Sequence, residues 1–196
     1  MKIGIEINGV LRNTLGKIQQ EYQKWYIDNP FKEESDFEYQ VKSDVTSLNI
    51  LEHLAFKDKD ELYDFLYKEH TMEIFGHAGS VEPNGLLDLN NLYLDLRDEH
   101  EFIIVSDEIG KSKPASLFFI SKFGSLIEHI FFYSEITINN LWSNIDILVT
   151  ANPKLLLNHP KNKTLIKYET SYNSDTQVNH QIKSIKDLKI KLQEIC

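Results

Sequence analysis

The chain has one cysteine in 196 residues, Cys196. A lone thiol excludes an internal disulfide and suits a reducing compartment. With no nucleophile context around it, Cys196 reads as an incidental thiol. Basic residues are outnumbered, 21 Lys and Arg against 30 Asp and Glu, for a net charge of -9. No dense Lys/Arg run offsets that balance, so extended nucleic acid is not expected as a partner, because phosphate contacts need a positive surface. No apolar run approaches the ~18 residues that span a bilayer. The opening stretch, broken by Glu6 and Asn8, is too short and too polar for a secretory signal. The expectation is a soluble cytoplasmic protein with no membrane partner. Gly-rich phosphate loops of the GxxxxGK[ST] and GxGxxG types are absent, as is a GxSxG elbow. His53, His70, His100, His129, His159 and His180 form no HxxxH or HxH pair, which argues against zinc. There is no internal repeat and no low-complexity tract. Abundant Lys, Asn and Ile hint at an AT-rich genome, that of a small bacterium or a phage, in which case the setting is the host cytoplasm.

Hydrophobic residues make up 41% of the chain and charged ones 26%, enough for one domain or a core with a smaller insertion. Five strands are expected: Lys2 to Ile7, Glu101 to Ser106, His129 to Ser134, Asp146 to Thr150 and Thr164 to Tyr168. Helical periodicity marks Thr14 to Ile27, two patterns between Val41 and His70, and Leu86 to Asp98. Asp58 or Asp60 is a plausible cap in the second of those two patterns. Pro114 suits the first turn of a helix running to Lys122, with Gly124 beyond it. Asn152-Pro153 opens a short helix. An acidic loop covers residues 32–38, and the polar tract Glu169 to His180 reads as a surface loop. Ser184 and Asp187 form a capping box ahead of a helix ending near Ile195. Strands alternating with helices predict an α/β fold, a Rossmann-like parallel sheet with helices on both faces. A glycine-rich return, "FGHAGSVEPNG", ends an inserted helical cap. The core is expected over 1–14 and 80–196 and the cap over 15–79. His77 in that return is a hinge candidate, and the aromatic residues around Tyr22, Trp25, Tyr63 and Tyr67 read as cap packing or a roof over a ring.

In parallel sheets, ligands bind at the carboxyl ends of the strands. Those ends carry Glu6 to Asn8, Ser106-Asp107, Ser134-Glu135 and Thr150-Ala151. Glu6 sits between Ile5 and Ile7, where a carboxylate is costly unless it faces a crevice or a partner.

The run Glu6-Ile7-Asn8-Gly9-Val10-Leu11, followed by Asn13-Thr14, resembles the first motif of the haloacid dehalogenase (HAD) superfamily, Asp-x-Asp-Gly-[Val/Thr]-Leu. The likeness leans towards its 5'(3')-deoxyribonucleotidase-type branch. Phe102 to Ser106 matches the second motif, a strand ending in Ser or Thr. Ile147 to Pro153 stands where the family has a strand ending in acids. The resemblance implies magnesium-dependent phosphoryl transfer. The first acid attacks phosphorus, and the second moves protons. Ser106, the Gly9 turn and a lysine hold phosphate, and the terminal acids bind Mg²⁺.

Against that pattern, four groups are changed. Glu6, in the nucleophile's place, is a methylene longer, which displaces its oxygens by on the order of an ångström and can cost about 100-fold. Asn8 cannot exchange a proton, which removes roughly 10²- to 10⁴-fold. Thr150 and Ala151 replace the metal-binding acids, leaving Glu6 as at best a weak metal ligand. The lysine position falls near Asn139 or Asn140. Asp107, Glu108, Asp146, Lys111 and Lys113 are candidate substitutes, Lys113 as an anion ligand, although each reads first as a solvated charge. The expectation is a pseudophosphatase that needs no cofactor and binds a protein or a small anion or nucleotide. It would be an accessory or assembly protein. The alternative is a divergent Mg²⁺-dependent phosphohydrolase acting on nucleotides.

Overall fold

The computed structural model describes residues 1–31 and 36–195; residues 32–35 of the expected acidic loop and Cys196 lie outside the described residues. The strands are β1 (Lys2–Glu6), β2 (Glu101–Asp107), β3 (Ile130–Tyr133), β4 (Ile147–Thr150), β5 (Thr164–Tyr168) and β6 (His180–Ile182). They form one sheet in the order β3-β2-β1-β4-β5-β6, and every neighbouring pair is parallel. The helices are α1 (Thr14–Tyr22), α2 (Ile50–His53), α3 (Lys59–Asp64), α4 (Gly85–Leu96), α5 (Ser112–Lys122), α6 (Ile138–Asn144), α7 (Pro153–Leu157) and α8 (Leu188–Ile195). This is the α/β, Rossmann-like arrangement expected from the alternating pattern.

The central strands are almost wholly apolar because both faces are covered. Ile3, Ile5, Phe102, Ile104, Ile147, Val149 and Ile166 pack on one face with Leu86 and Leu89 of α4, Phe119 of α5 and Leu188 of α8. The alternate residues Ile103, Val105, Leu148 and Leu165 pack on the other with Leu141 and Trp142 of α6 and Leu155 of α7. Gly4 belongs to that second face. A Cβ there would crowd Ile145, Leu148 and Val105 at 3.2–3.4 Å, so β1 can lie between its neighbours only with a bare α-carbon.

A third apolar cluster gathers Ile18, Tyr22, Ile50, Leu54, Phe56, Phe65, Ile74 and Phe75. All of these lie between α1 and residue 75, and the chain enters and leaves that stretch side by side. Asn13 N–H donates to Gly79 O (2.9 Å), and Val81 N–H donates to Leu11 O (3.0 Å).

Several element limits differ from the pattern reading. The helix expected to reach Ile27 changes to π geometry at Gln23. The second helical pattern between Val41 and His70 does the same over Phe65–Glu69, after an N-cap by Asp58, whose side chain accepts from Glu61 N. β6 arises at the end of the tract read as loop, because three residues with one exposed glutamine give no periodicity to detect. The Ser184–Asp187 capping box is present, heading a short 3-10 turn before α8. Among the described residues, no helix is long and apolar enough to cross a membrane.

Candidate active-site crevice

Parallel register brings the ends of β1, β2 and β4 level. Ile5 pairs with Ile104 on one side and Val149 on the other, so Glu6 stands beside Thr150 at the carboxyl edge. Beyond Glu6 the backbone folds on itself. Leu11 and Arg12 N–H both donate to Ile7 O, at 3.0 and 2.8 Å. Gly9 turns this loop at a φ of 77°, a left-handed conformation that glycine tolerates best.

A crevice of about 230 Å³ opens at this edge. One wall is polar and comes from the core: Glu6, Asn8, Asp107, Asn152 and Tyr172. The other wall is apolar and comes from α1 to residue 75: Leu15, Ile18, Ile50, Leu66, Tyr67 and Phe75. Larger depressions exist near His100 and His129 and around Trp25 and Pro30, away from the strand ends that carry the motif residues.

Glu6 is 1% exposed. Tyr133 of β3 donates its hydroxyl to one carboxylate oxygen at 2.5 Å, and Thr150 donates to the other. Thr150 in turn accepts from Asn152 N–H (2.9 Å). Burial pushes the Glu6 carboxyl up to about 7; the Thr150 and Tyr133 hydrogen bonds oppose that rise, and the Asp107 and Glu108 charges add to it. The same contact, after burial, holds the Tyr133 phenol well above its usual range.

Asn8 is fixed as an acceptor. Its Oδ1 takes Arg12 Nη2 at 2.6 Å and Thr14 Oγ1 at 2.7 Å, while its Nδ2 reaches Ser106 Oγ at 3.4 Å. Ser106 is fully buried, and its hydroxyl donates to Glu108 Oε1 at 3.1 Å. Gly9 lines the crevice, but its N–H donates to Arg12 O. Lys113 is exposed, with Nζ 5.8 Å from the Phe132 ring centre, and it does not line the crevice. Asn139 and Asn140 are exposed on α6, and Lys111 is also exposed. Asp146 sits at the opposite edge of the sheet, accepting from Lys2 N–H at 2.8 Å. His77 is exposed and packs edge-on against Phe118.

Glu108 is not a solvated loop charge. It is 2% exposed and forms the acidic half of a buried hub. Its Oε1 receives Arg12 Nη2 (2.5 Å), Ser116 Oγ (2.7 Å) and Ser106 Oγ, while Oε2 has no partner among the described residues. Arg12 also donates to Phe75 O and Ser116 Oγ, each at 2.6 Å, and to Thr14. Burial pulls its guanidinium below the ordinary range, opposed by the Glu108 charge. Motif reading passed over Arg12; the available signal was a guanidinium set directly after the apolar pair Val10-Leu11.

Asp107 has a different situation. Its side chain reaches solvent at the crevice edge, and it has no hydrogen-bond or ion-pair partner among the described residues. The crevice still withdraws enough water, with Glu108 and Glu135 adding repulsion, to push its carboxyl up to about 6; Lys154 acts in the other direction.

Mg²⁺ rests on one or two carboxylates together with substrate oxygens and water. Here both Glu6 oxygens are engaged, Thr150 offers a hydroxyl already committed to Glu6, and Ala151 offers a methyl. Among the described residues, no three His, Cys, Asp or Glu side chains converge as a metal site. The donor set does not fit the ion.

No family model and no curated protein matches the sequence. Among solved structures, the chain is similar to a candidate haloacid dehalogenase-like hydrolase from Burkholderia xenovorans LB400. The identity is 12%, 98% of this chain and 96% of that one are covered, and the TM-score is 0.55. The fold is therefore that of the HAD-like hydrolases, spanning nearly the whole chain.

Proposed function

We propose that this chain is a HAD-fold pseudophosphatase: a relative of the nucleotidase-like branch that has left phosphoryl transfer and works by binding. The observation that carries this reading is the state of Glu6. A nucleophilic carboxylate needs an ionised oxygen free to approach phosphorus. Both Glu6 oxygens hold hydroxyl donors, and its carboxyl sits at about 7. The proton shuttle is an amide locked by Arg12 and Thr14. In this reading residues 15–79 are a helical cap on a core of 1–14 and 80–196, and the adjoining Asn13–Gly79 and Leu11–Val81 hydrogen bonds support that division. A cytoplasmic accessory role, in a bacterium or in the host of a phage, suits the acidic surface.

One observation favours a second reading, a divergent Mg²⁺-dependent nucleotide phosphohydrolase: Asp107 lines the crevice with a carboxylate that has no partner among the described residues. Incubation with p-nitrophenyl phosphate and a panel of nucleoside monophosphates, with Mg²⁺ or Mn²⁺, separates the two. The pseudophosphatase reading expects no turnover above buffer. Turnover abolished by Glu6→Gln would overturn it.

A further inference from the structure

The crevice has an unusual charge balance for a phosphate pocket: among the described residues, none that lines it is Lys, Arg or His. Arg12, a cation behind it, is neutralised by Glu108 at 2.5 Å and is fully buried. Lys154 lies outside and is exposed, 3.8 Å from Glu135. Three backbone donors at this edge are also committed. Asn13 caps α1 through Gly16 N–H, Asn152 caps α7 through Lys154 N–H, and Gly9 N–H is bonded to Arg12 O. An anion entering here would meet the Asp107 and Glu6 carboxyls with no lysine or arginine among the described lining residues to offset its charge.

The opposite chemistry fits. Leu15, Ile18, Ile50 and Leu66 offer an apolar wall, while Asp107, Asn152 and the Tyr172 hydroxyl offer acceptors on the facing side. We propose that the crevice is a binding site for a small organic ammonium ion with an apolar body, its charge held against Asp107 and its body against the Ile18–Leu66 wall. The inference rests on the reading of the crevice as a place of binding rather than turnover, and it replaces the expected nucleotide or anion by a ligand of opposite charge. The balance of groups around Asp107 supports it: Glu108 and Glu135 add negative potential, and only exposed Lys154 opposes them.

The test uses three probes sharing one ring size: benzylamine, benzyl alcohol and phenyl phosphate, titrated calorimetrically into the intact protein at pH 8. Benzylamine is expected to bind saturably and more tightly than benzyl alcohol, with phenyl phosphate weakest. Asp107→Asn, at an exposed side chain, is expected to weaken benzylamine about tenfold, a loss of ~1.4 kcal/mol, while leaving benzyl alcohol unchanged. Leu48→Trp, at a partly exposed lining position, is expected to reduce binding of both by filling the mouth. Phenyl phosphate binding at least as tightly as benzylamine would overturn the proposal, as would absent benzylamine binding or indifference to both substitutions. None of these outcomes touches the pseudophosphatase reading, which falls only on phosphate-ester turnover.

Discussion

The guanidinium of Arg12 and the carboxylate of Glu108 meet at 2.5 Å with neither side chain exposed to solvent. The pair joins the turn after β1 to the end of β2. Through Phe75 O it also reaches the helical turn Met72–Gly76, ahead of α4. Only two of the chain's 21 basic residues are arginines, Arg12 and Arg97. At Arg12 five partners surround one planar fork, a geometry an ammonium cannot reproduce.

Breaking the pair from one side is expected to be severe. Arg12→Met leaves Glu108 buried and unpaired, which costs about 3–5 kcal/mol. Arg12→Met with Glu108→Leu removes both charges and is expected to cost less than the sum of the single changes. Urea unfolding of the three variants gives the coupling energy; strictly additive losses would show that the two residues do not stabilise each other.

The sheet was legible because buried parallel strands are near-continuous apolar runs, as in Phe102 to Val105 and Ile147 to Val149. Glu6 stood out in the sequence because a carboxylate inside such a run is costly unless it faces a crevice or a partner, and it lines the crevice. What joins it was not. Tyr133 and Thr150 lie 127 and 144 positions from Glu6 in the chain, and no local pattern says which hydroxyl completes a carboxylate across a sheet. Ser106 matches its motif, yet its hydroxyl turns towards Glu108, because the residue two positions on is drawn inward by Arg12. Arg12 itself was masked by composition: a single cation in a polar turn reads as surface until tertiary packing covers it.

Glu6 makes stability pH-dependent. Its carboxyl moves from an ordinary 4.5 to about 7 in the fold. The folded state therefore holds the proton more tightly than the unfolded chain. This contribution is fully present below about pH 4.5 and is lost as pH rises through 7, amounting to about 3 kcal/mol. Glu6→Gln keeps the shape without the charge. Urea midpoints of this variant and the natural chain are expected to coincide near pH 4.5 and to diverge by pH 8, with Glu6→Gln the more stable. Asp107 shifts in the same direction, so the comparison is cleanest in an Asp107→Asn background.

Gly9 is bound to Tyr172 by space. At a φ of 77° a side chain is strained whatever surrounds it, and a Cβ here would also collide with the Tyr172 hydroxyl. Gly9→Ala is expected to lose about 1–2 kcal/mol from backbone strain alone, plus the clash. Tyr172→Phe removes the colliding oxygen and leaves the ring. Thermal unfolding is expected to show Gly9→Ala less damaging in the Tyr172→Phe background than in the natural chain. Equal damage in both would mean that the strain alone sets the cost.

If the crevice descends from a magnesium-dependent one, returning its acids should revive chemistry. The substitutions that fit are Glu6→Asp, Asn8→Asp and Thr150→Asp. Aspartate at position 8 keeps the acceptor that Arg12 and Thr14 already use, and it adds an ion pair. Aspartate at position 6 withdraws from Tyr133, and aspartate at position 150 removes the hydroxyl that now occupies the other Glu6 oxygen. Ala151→Asp is best left out. Ala151 is fully buried beside the Gly9 turn, so a larger side chain there would have to displace its neighbours. The triple variant is expected to hydrolyse p-nitrophenyl phosphate in Mg²⁺ and to stop on chelation with EDTA, while the natural chain does neither. With no lysine near Asn139 or Asn140 the rate should stay low, because nothing cationic then balances the phosphate oxygens. A folded triple variant with no Mg²⁺-dependent turnover would count against a phosphatase ancestry for the crevice.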